Sequence, residues 1–423
     1  MFLQTLPAME TLQTRCCIAG GGPAGMMLGY LLARAGVDVV VLEKHADFLR
    51  DFRGDTVHPS TLQVMAELGL LDDFLKLPHT EIREIGGRIN GVPAMIADLR
   101  HLPTRCKFVA FIPQWDFLNF LAARGKRYPG FGVLMRAEVS DLIVEGERVT
   151  GVRATTPDGP REIRADLVVG ADGRHSTVRE RAGFAVQDFG APIDVLWMRL
   201  SKHPGDSGSV LGYFDAGQLL VTLDRGDYWQ CAFVIPKGGF DALRAGDIQE
   251  LRDEIAGLAP FLRDRTGELR TWDDVRLLTV VVDRLRTWHR QGLLCIGDAA
   301  HAMSPMGGVG INLAVQDAVA AANILAAPLR AATVTERDLH AVQRRRMFPI
   351  RVTQAVQVFA AARIFGGIVP GAPRPRSRSG SLPWPIRLLQ TFPYLRRFPA
   401  LFIGVGVRPE HVRTPEAAMP KSV

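Results

Sequence analysis

Residues Gly20-Gly21-Gly22-Pro23-Ala24-Gly25 read Gly-x-Gly-x-x-Gly between a short apolar run and a helical pattern. No other stretch constrains the fold as much. Arg15 to Ala19 suits a buried strand; Met26, Met27, Leu31 and Leu32 give the following helix its packing face, and Gly36 closes it. Gly20 permits a tight turn, Gly22 lets the backbone approach a pyrophosphate, and Gly25 lets helix and strand pack closely. Phosphates would then rest on the helix N-terminus. Such a turn alone also occurs where nothing binds. Here Val37 to Leu42 form a second apolar strand, and Glu43 ends it eighteen positions after Gly25. A carboxylate there accepts hydrogen bonds from a ribose diol and repels a 2′-phosphate, so the clasp suits FAD or NAD rather than NADP.

With 423 residues the chain buries a large core and has room for two or three domains. The net charge of +7 comes from 51 Lys and Arg against 44 Asp and Glu, with much of the excess after Arg344. No nucleic-acid partner is expected from it. Cys16, Cys17, Cys106, Cys231 and Cys295 show no metal-ligand spacing, and four of them lie in apolar, strand-like runs, so reduced buried thiols and no metal are expected. Residues 1 to 14 lack a basic segment followed by an apolar core, and no uninterrupted apolar run approaches roughly 18 residues. A cytoplasmic location is expected.

Past Glu43, a polar loop from Asp51 to Pro59 leads to a helix over Ser60 to Leu68; Arg53 and Asp55 there could pair at the surface and His58 could cap the helix. Residues 81 to 112 read as short strands and turns. Pro113 to Asp116 opens a helix, and an antiparallel set follows up to Thr155. Asp166 to Arg179 is a buried strand ending in the turn Gly170-Ala171-Asp172-Gly173, where Asp172 caps the next helix or holds a phosphate; the residues leave both readings open. From Asp194 to Pro236 strands predominate. Trp197, Met198, Tyr213, Trp229 and Phe233 lie within them, about half expected in a core and half against a ligand. Leu293 to His301 is another buried strand ending in Gly297-Asp298, and Ser304 to Asn312 leads into an alanine-rich helix through Ala326.

Taken together, the Gly20–Gly25 clasp with Glu43, the Asp172-Gly173 block and the Gly297-Asp298 block make the chain resemble the FAD-dependent aromatic hydroxylases, the p-hydroxybenzoate hydroxylase family. The resemblance reaches to about Ala326. It implies an α/β fold, with a Rossmann-like FAD-binding domain, an interleaved and mostly antiparallel β substrate domain, and a helical C-terminal extension. The corresponding boundaries are 1–80, 105–185 and 276–330 for FAD binding, 81–104 and 186–275 for substrate, and 331–423 for the extension. It also implies site roles: Gly20, Gly22 and Gly25 cradle FAD, Glu43 holds the adenosine ribose, and Arg53 and Gln114 contact the phosphate and ribityl regions. Gly297 and Asp298 meet the ribityl chain, and Asp172 serves the cleft shared with the nicotinamide donor. Gly308, Gly310 and Asn312 belong to the loop that aims helix N–H groups at the reduced flavin. Val309 stands where the family often has Gln, which removes an amide side chain and leaves the backbone donors. Pro305 and His58 would neighbour the flavin, and no side chain presents itself as a catalytic base.

The chemistry so implied is reduction of FAD by NADH or NADPH, reaction with O₂ to a flavin hydroperoxide, and hydroxylation of an aromatic or polycyclic, largely apolar substrate. Arg225 is a candidate partner for a phenolate or carboxylate. A flavin reductase acting on a lipid-like or polyprenyl substrate without oxygen transfer is the alternative, and a flavin-binding module without turnover a third reading. A halogenase is disfavoured because no two tryptophans stand two positions apart. In the extension, a helix carrying Arg344, Arg345 and Arg346 is expected to break at Pro349 and resume, followed by a linker from Pro370 to Ser381. Trp384 to Val407 then mixes aromatic and basic residues in a way that suits either docking on the protein's own core or peripheral contact with an anionic membrane.

Overall fold

The structure is a computed structural model that describes residues 10–49, 55–206, 211–365 and 380–417. Strand β1 (Glu10–Ala19) lies at the centre of an eight-stranded sheet, parallel to β2 (Val39–Glu43) on one side and to Gly159–Gly170 on the other. Leu293–Cys295 and Phe131–Met135 extend the parallel part outward. A parallel sheet is covered on both faces, so its strands are continuously apolar; Cys16, Cys17, Ile18, Leu167, Val168 and Val169 are all fully buried. Helix α1 (Pro23–Arg34) packs on this sheet beside Gln114–Gly125 and Gly310–Arg330. That last helix is long and apolar enough to cross a membrane, but most of it is buried as a core element; no other helix among the described residues meets that test.

A second sheet of seven strands runs in the order Arg276–Leu278, Ile193–Ser201, Tyr228–Pro236, Gln218–Asp224, Leu211–Asp215, Glu84–Ile89, Val92–Asp98. Every pairing is antiparallel except that of Leu211–Asp215 with Glu84–Ile89. Chain segments far apart in sequence thus alternate between the two sheets, as the α/β fold with an interleaved antiparallel part requires.

The second sheet separates its two faces sharply. Met198, Tyr213, Trp229 and Phe233 pack with helix Ile248–Leu258 in one core. Trp197, Val195, Val221, Ala232 and Val234 lie on the other face, where Val234, Leu219 and Met306 pack against the cluster of Ile193, Ala361 and Phe365. The expected even division of the five aromatic and methionine residues is therefore corrected: four are core, and aliphatic side chains dominate the opposite wall. Period-2 alternation identifies two faces, and only the helix that lands on one of them decides which is inside.

Helix Glu336–Phe365 runs through Pro349 without a break, against expectation. Proline inside a helix costs about 3 kcal/mol, and burial of Leu339, Val342, Ile350, Ala361 and Phe365 along the same helix offsets it. Residues 366–379, which hold most of the expected linker, lie outside the described residues. Beyond them, Trp384–Thr391 and Arg397–Gly404 are short helices laid along the edge strand Val92–Asp98. The chain's last described stretch returns to the first sheet's helices, where Glu416 receives Tyr128 Oη at 2.8 Å and pairs with Arg34.

Candidate functional site

Three glycine turns meet at the C-terminal ends of the parallel strands, the place where open α/β sheets bind ligands. Gly20 has φ +106°, and a Cβ there would stand 2.3 Å from the Ala171 carbonyl oxygen; at Gly25 a Cβ would stand 1.9 Å from the Gly20 oxygen. Gly22 differs, with no atom within 4 Å of such a Cβ, so its side of the turn is open. Gly297 closes on the same turn from the third block, its Cβ position being 3.0 Å from Ala24 Cβ. Helix α1 starts at Gly22 with no side-chain cap, which leaves its first N–H groups for a ligand.

Glu43 ends β2 almost fully buried, with Oε2 accepting from the Gly21 amide at 3.1 Å and Oε1 from the His45 amide at 3.0 Å. The carboxylate is thereby held over the clasp. Asp172 accepts from Ser176 Oγ at 2.5 Å and from the Val178 amide at 3.1 Å, while Ser176 accepts from the Arg179 amide. Of the two readings open for Asp172, the geometry is that of a helix cap; burial raises its pKa, against the pull of those hydrogen bonds. Asp298, half-buried on its short 3₁₀ turn, has Arg174 at 3.9 Å.

The loop after Asp298 is fastened from several directions. The Gly308 carbonyl accepts from Thr56 Oγ1 at 2.7 Å. Asn312 is saturated by protein: Oδ1 accepts from the His58 amide at 2.9 Å and Thr61 Oγ1 at 2.7 Å, and Nδ2 donates to Thr56 and Gly308 carbonyls. Its amide therefore welds the loop to the Thr56–Thr61 stretch. Gly310, by contrast, opens a 21-residue helix with no side-chain cap and free space around it. Such an N-terminus carries roughly half a positive charge and suits an anionic ring edge.

Arg53 lies outside the described residues. Gln114 starts its helix with its amide donating to Asp55 Oδ1 at 3.1 Å. Asp55 does not pair as expected at the surface: it forms a buried ion pair with Arg225 from the second sheet. Burial lifts the Asp55 pKa to about 6 against the pull of Arg225. Arg225 is thus engaged by protein, with Nε also donating to Gln230 Oε1 at 2.9 Å, and its expected role as a partner for a phenolate or carboxylate is corrected. His58 is buried, its Nδ1 2.7 Å from the Ile403 carbonyl, and burial lowers its pKa to about 4. It faces the C-terminal segment. Pro305 stands at the turn whose next residue, Met306, packs on the second sheet.

The residues missed in the sequence come from the 336–365 helix. Gln357 Nε2 donates to the Ser304 and Met306 carbonyls at 3.0 and 2.9 Å, and Gln354 Nε2 donates to those of Asp283 and Ala302 at 2.7 and 2.9 Å. Arg346 Nε donates to Asp317 Oδ1 at 2.8 Å, while Asp317 Oδ2 accepts from the Gly297 amide at 3.0 Å and lies 2.6 Å from His301 Nε2. Burial pushes the Asp317 pKa upward, but His301 and Arg346 outweigh it and hold the carboxyl below its usual range. His301 is consumed by this structural network. All five cysteines are buried free thiols, and among the described residues no His/Cys/Asp/Glu group could hold a metal.

A family model described as an FAD binding domain matches residues 13–356. The chain belongs to that family. It is 34% identical over 376 residues to 6-methylpretetramide 4-monooxygenase of Streptomyces rimosus, covering 88% of this chain and 89% of that one. It is 30% identical over 315 residues to the same organism's 12-dehydrotetracycline 5-monooxygenase/anhydrotetracycline 6-monooxygenase, covering 71% of this chain and 60% of that longer relative. The structure of p-nitrophenol 4-monooxygenase from Pseudomonas putida superposes with a TM-score of 0.72 at 22% identity, covering 93% of this chain and 98% of that one. This flavoprotein is an FAD-dependent monooxygenase of aromatic or polycyclic substrates, with NAD(P)H the donor typical of its family. The alternative of a reductase without oxygen transfer finds no support among these relatives.

Proposed function

We propose that this monooxygenase hydroxylates a polycyclic phenol of the polyketide type, as the names of its tetracycline- and pretetramide-oxidising relatives suggest. The observation that carries the reading is the meeting of three glycine turns beside an uncapped helix start, which fits one extended dinucleotide. FAD, when bound, supplies the O₂ chemistry. In this proposal Glu43 accepts from the adenosine ribose, the Gly22 side of the clasp and the start of α1 take the pyrophosphate, and Gln114 and Arg53 add contacts along it. Asp298 holds the ribityl chain, and the Gly310 helix start stabilises negative charge on the reduced ring. Asp172 and Asn312 act by shaping their turns. Residues 1–80, 105–185 and 276–330 form the FAD-binding part, 81–104 and 186–275 the substrate part, and 331–423 the extension. On this aliphatic face Val195 and Ala232 are buried against Val280 and Val282, and the half-buried Val221 and Val234 are the side chains that would meet an apolar substrate and exclude water. A cytoplasmic location and peripheral membrane contact through the C-terminal segment belong to the same proposal.

The purified protein should be yellow with non-covalent FAD, and a panel of polycyclic phenols should include one that stimulates NAD(P)H oxidation with matching O₂ uptake and incorporates oxygen-18 from O₂. Product without the label would refute oxygen transfer. Glu43→Arg and Asp298→Ala should each lower FAD occupancy; unchanged occupancy in both would refute these roles.

A further inference from the structure

The C-terminal helices divide their apolar residues between two faces. One face is docked: Ala400 is fully buried, and with Leu401, Ile403 and Val405 it packs against Leu99, Leu102, Val109 and Phe111. Gln390 fastens the preceding helix to the sheet edge as a strand would, its Nε2 donating to the Met95 carbonyl at 2.7 Å and its Oε1 accepting from the Met95 amide at 3.2 Å. A Cβ at Gly404 would stand 2.7 Å from Leu102 Cδ1, so the approach is close. The opposite face is left to solvent: Trp384 is 71% exposed, Tyr394 59%, Phe398 58%, Phe392 43% and Leu388 42%. The protein's own core therefore explains only half of the segment's apolar residues.

Charge decides what fits the other half. Every acidic or basic side chain between His340 and Glu410 is an arginine. Arg397 sits 5.8 Å from the ring centres of both Tyr394 and Phe398, and Arg387 is exposed between Trp384 and Leu388. A second copy meeting this face about a two-fold axis would set arginine against arginine, which opposes self-association. Aromatic and leucine side chains flanked by arginines match the boundary of an anionic bilayer, where rings sit at headgroup level and each cation gains from the surface potential.

We propose that the outward face of Trp384, Arg387, Leu388, Phe392, Tyr394, Arg397 and Phe398 docks on an anionic phospholipid surface. The inference rests on the peripheral contact in the proposed function and assigns it a face, a lipid charge and an orientation. The docked face fixes that orientation, because the segment is pinned to the edge of the substrate sheet by Gln390 and to the FAD-binding part by His58. The enzyme is thereby held where an apolar substrate concentrates.

The test uses the full-length FAD-loaded protein and vesicles of phosphatidylcholine alone or mixed with phosphatidylglycerol. Sedimentation with the phosphatidylglycerol vesicles is expected at low salt, weakened by high salt, with little on phosphatidylcholine. The double variant Arg387→Gln, Arg397→Gln should lower the partition coefficient about 30-fold, from roughly 1 kcal/mol for each cation, and Trp384→Ser with Phe398→Ser should lower it at least as much. Both variants should keep the flavin spectrum and turnover on a water-soluble substrate. No binding to either vesicle overturns the membrane contact itself. Binding that is indifferent to both double variants overturns this face while leaving a membrane contact in place. A dimer in the wild type that Trp384→Ser with Phe398→Ser dissociates, or capture of an acidic protein in place of vesicles, gives the face a different occupant and overturns the proposal.

Discussion

Acidification should loosen the docking of the C-terminal segment through one imidazole. His58 is buried, neutral, and bonded through Nδ1 to the Ile403 carbonyl, with its pKa lowered from 6.5 to about 4. Between those values the unfolded chain binds more protons than the folded one, so stability falls as pH falls. At about 1.4 kcal/mol per unit the full effect is roughly 3 kcal/mol, and about 2 kcal/mol of it is lost between about pH 7.5 and pH 5. Asp55 acts in the opposite sense over much of the same window: its pKa is raised to about 6, so the folded state takes up its proton first and gains stability on acidification. A comparison with His58→Asn cancels that contribution, since Asp55 is present in both proteins. Denaturant unfolding at the two pH values should show the wild type losing about 2 kcal/mol more than the variant. Equal losses in the two proteins would refute the assignment of a neutral, desolvated His58.

Gln357→Leu should leave the Ser304 and Met306 carbonyls without their donor, at about 1–3 kcal/mol for each buried acceptor; FAD titration by fluorescence and thermal unfolding should both register it, and an unchanged FAD Kd would refute a positioning role. Gly25→Ala should fail to fold, because its Cβ meets backbone at 1.9 Å, whereas Gly22→Ala, with open space, should fold and bind FAD more weakly; circular dichroism and FAD titration separate the two. Arg225→Met should strand the buried Asp55 carboxylate and lower stability by about 3–5 kcal/mol. A raised KM with unchanged unfolding would instead return Arg225 to substrate binding.

The local part of the site was legible because its chemistry is local. Gly20, Gly22 and Gly25 fall within six residues, and Glu43 follows at the end of the next strand; a tight turn, a helix start and a strand end follow from that spacing alone. The Asp172 turn was equally visible as a turn, though its choice between cap and ligand waited on Ser176 Oγ and the Val178 amide. What stayed hidden depends on partners distant in the chain. Asp55 and Arg225 are separated by 170 positions, so Asp55 was expected to pair with its near neighbour Arg53 and Arg225 with a substrate anion. The 336–365 helix was expected only as part of a C-terminal extension, and its polar Gln354 and Gln357 and the arginines before them have the pattern of a solvated face.

Their neighbours reverse that reading. The backbone from Asp283 to Met306 carries carbonyls that turn toward this helix, and a buried carbonyl must find a donor somewhere. Two glutamines one helical turn apart provide four such bonds, and Arg346, two to three turns earlier on the same helix, neutralises the carboxylate that orients Gly297. The 336–365 helix thus holds the Gly297–Gly310 loop from behind. The family match, expected to fade at about Ala326, reaches residue 356, and the layer that supports the Gly297–Gly310 loop extends to Gln357; through His58 and Ile403 it reaches the segment that carries the exposed aromatic face.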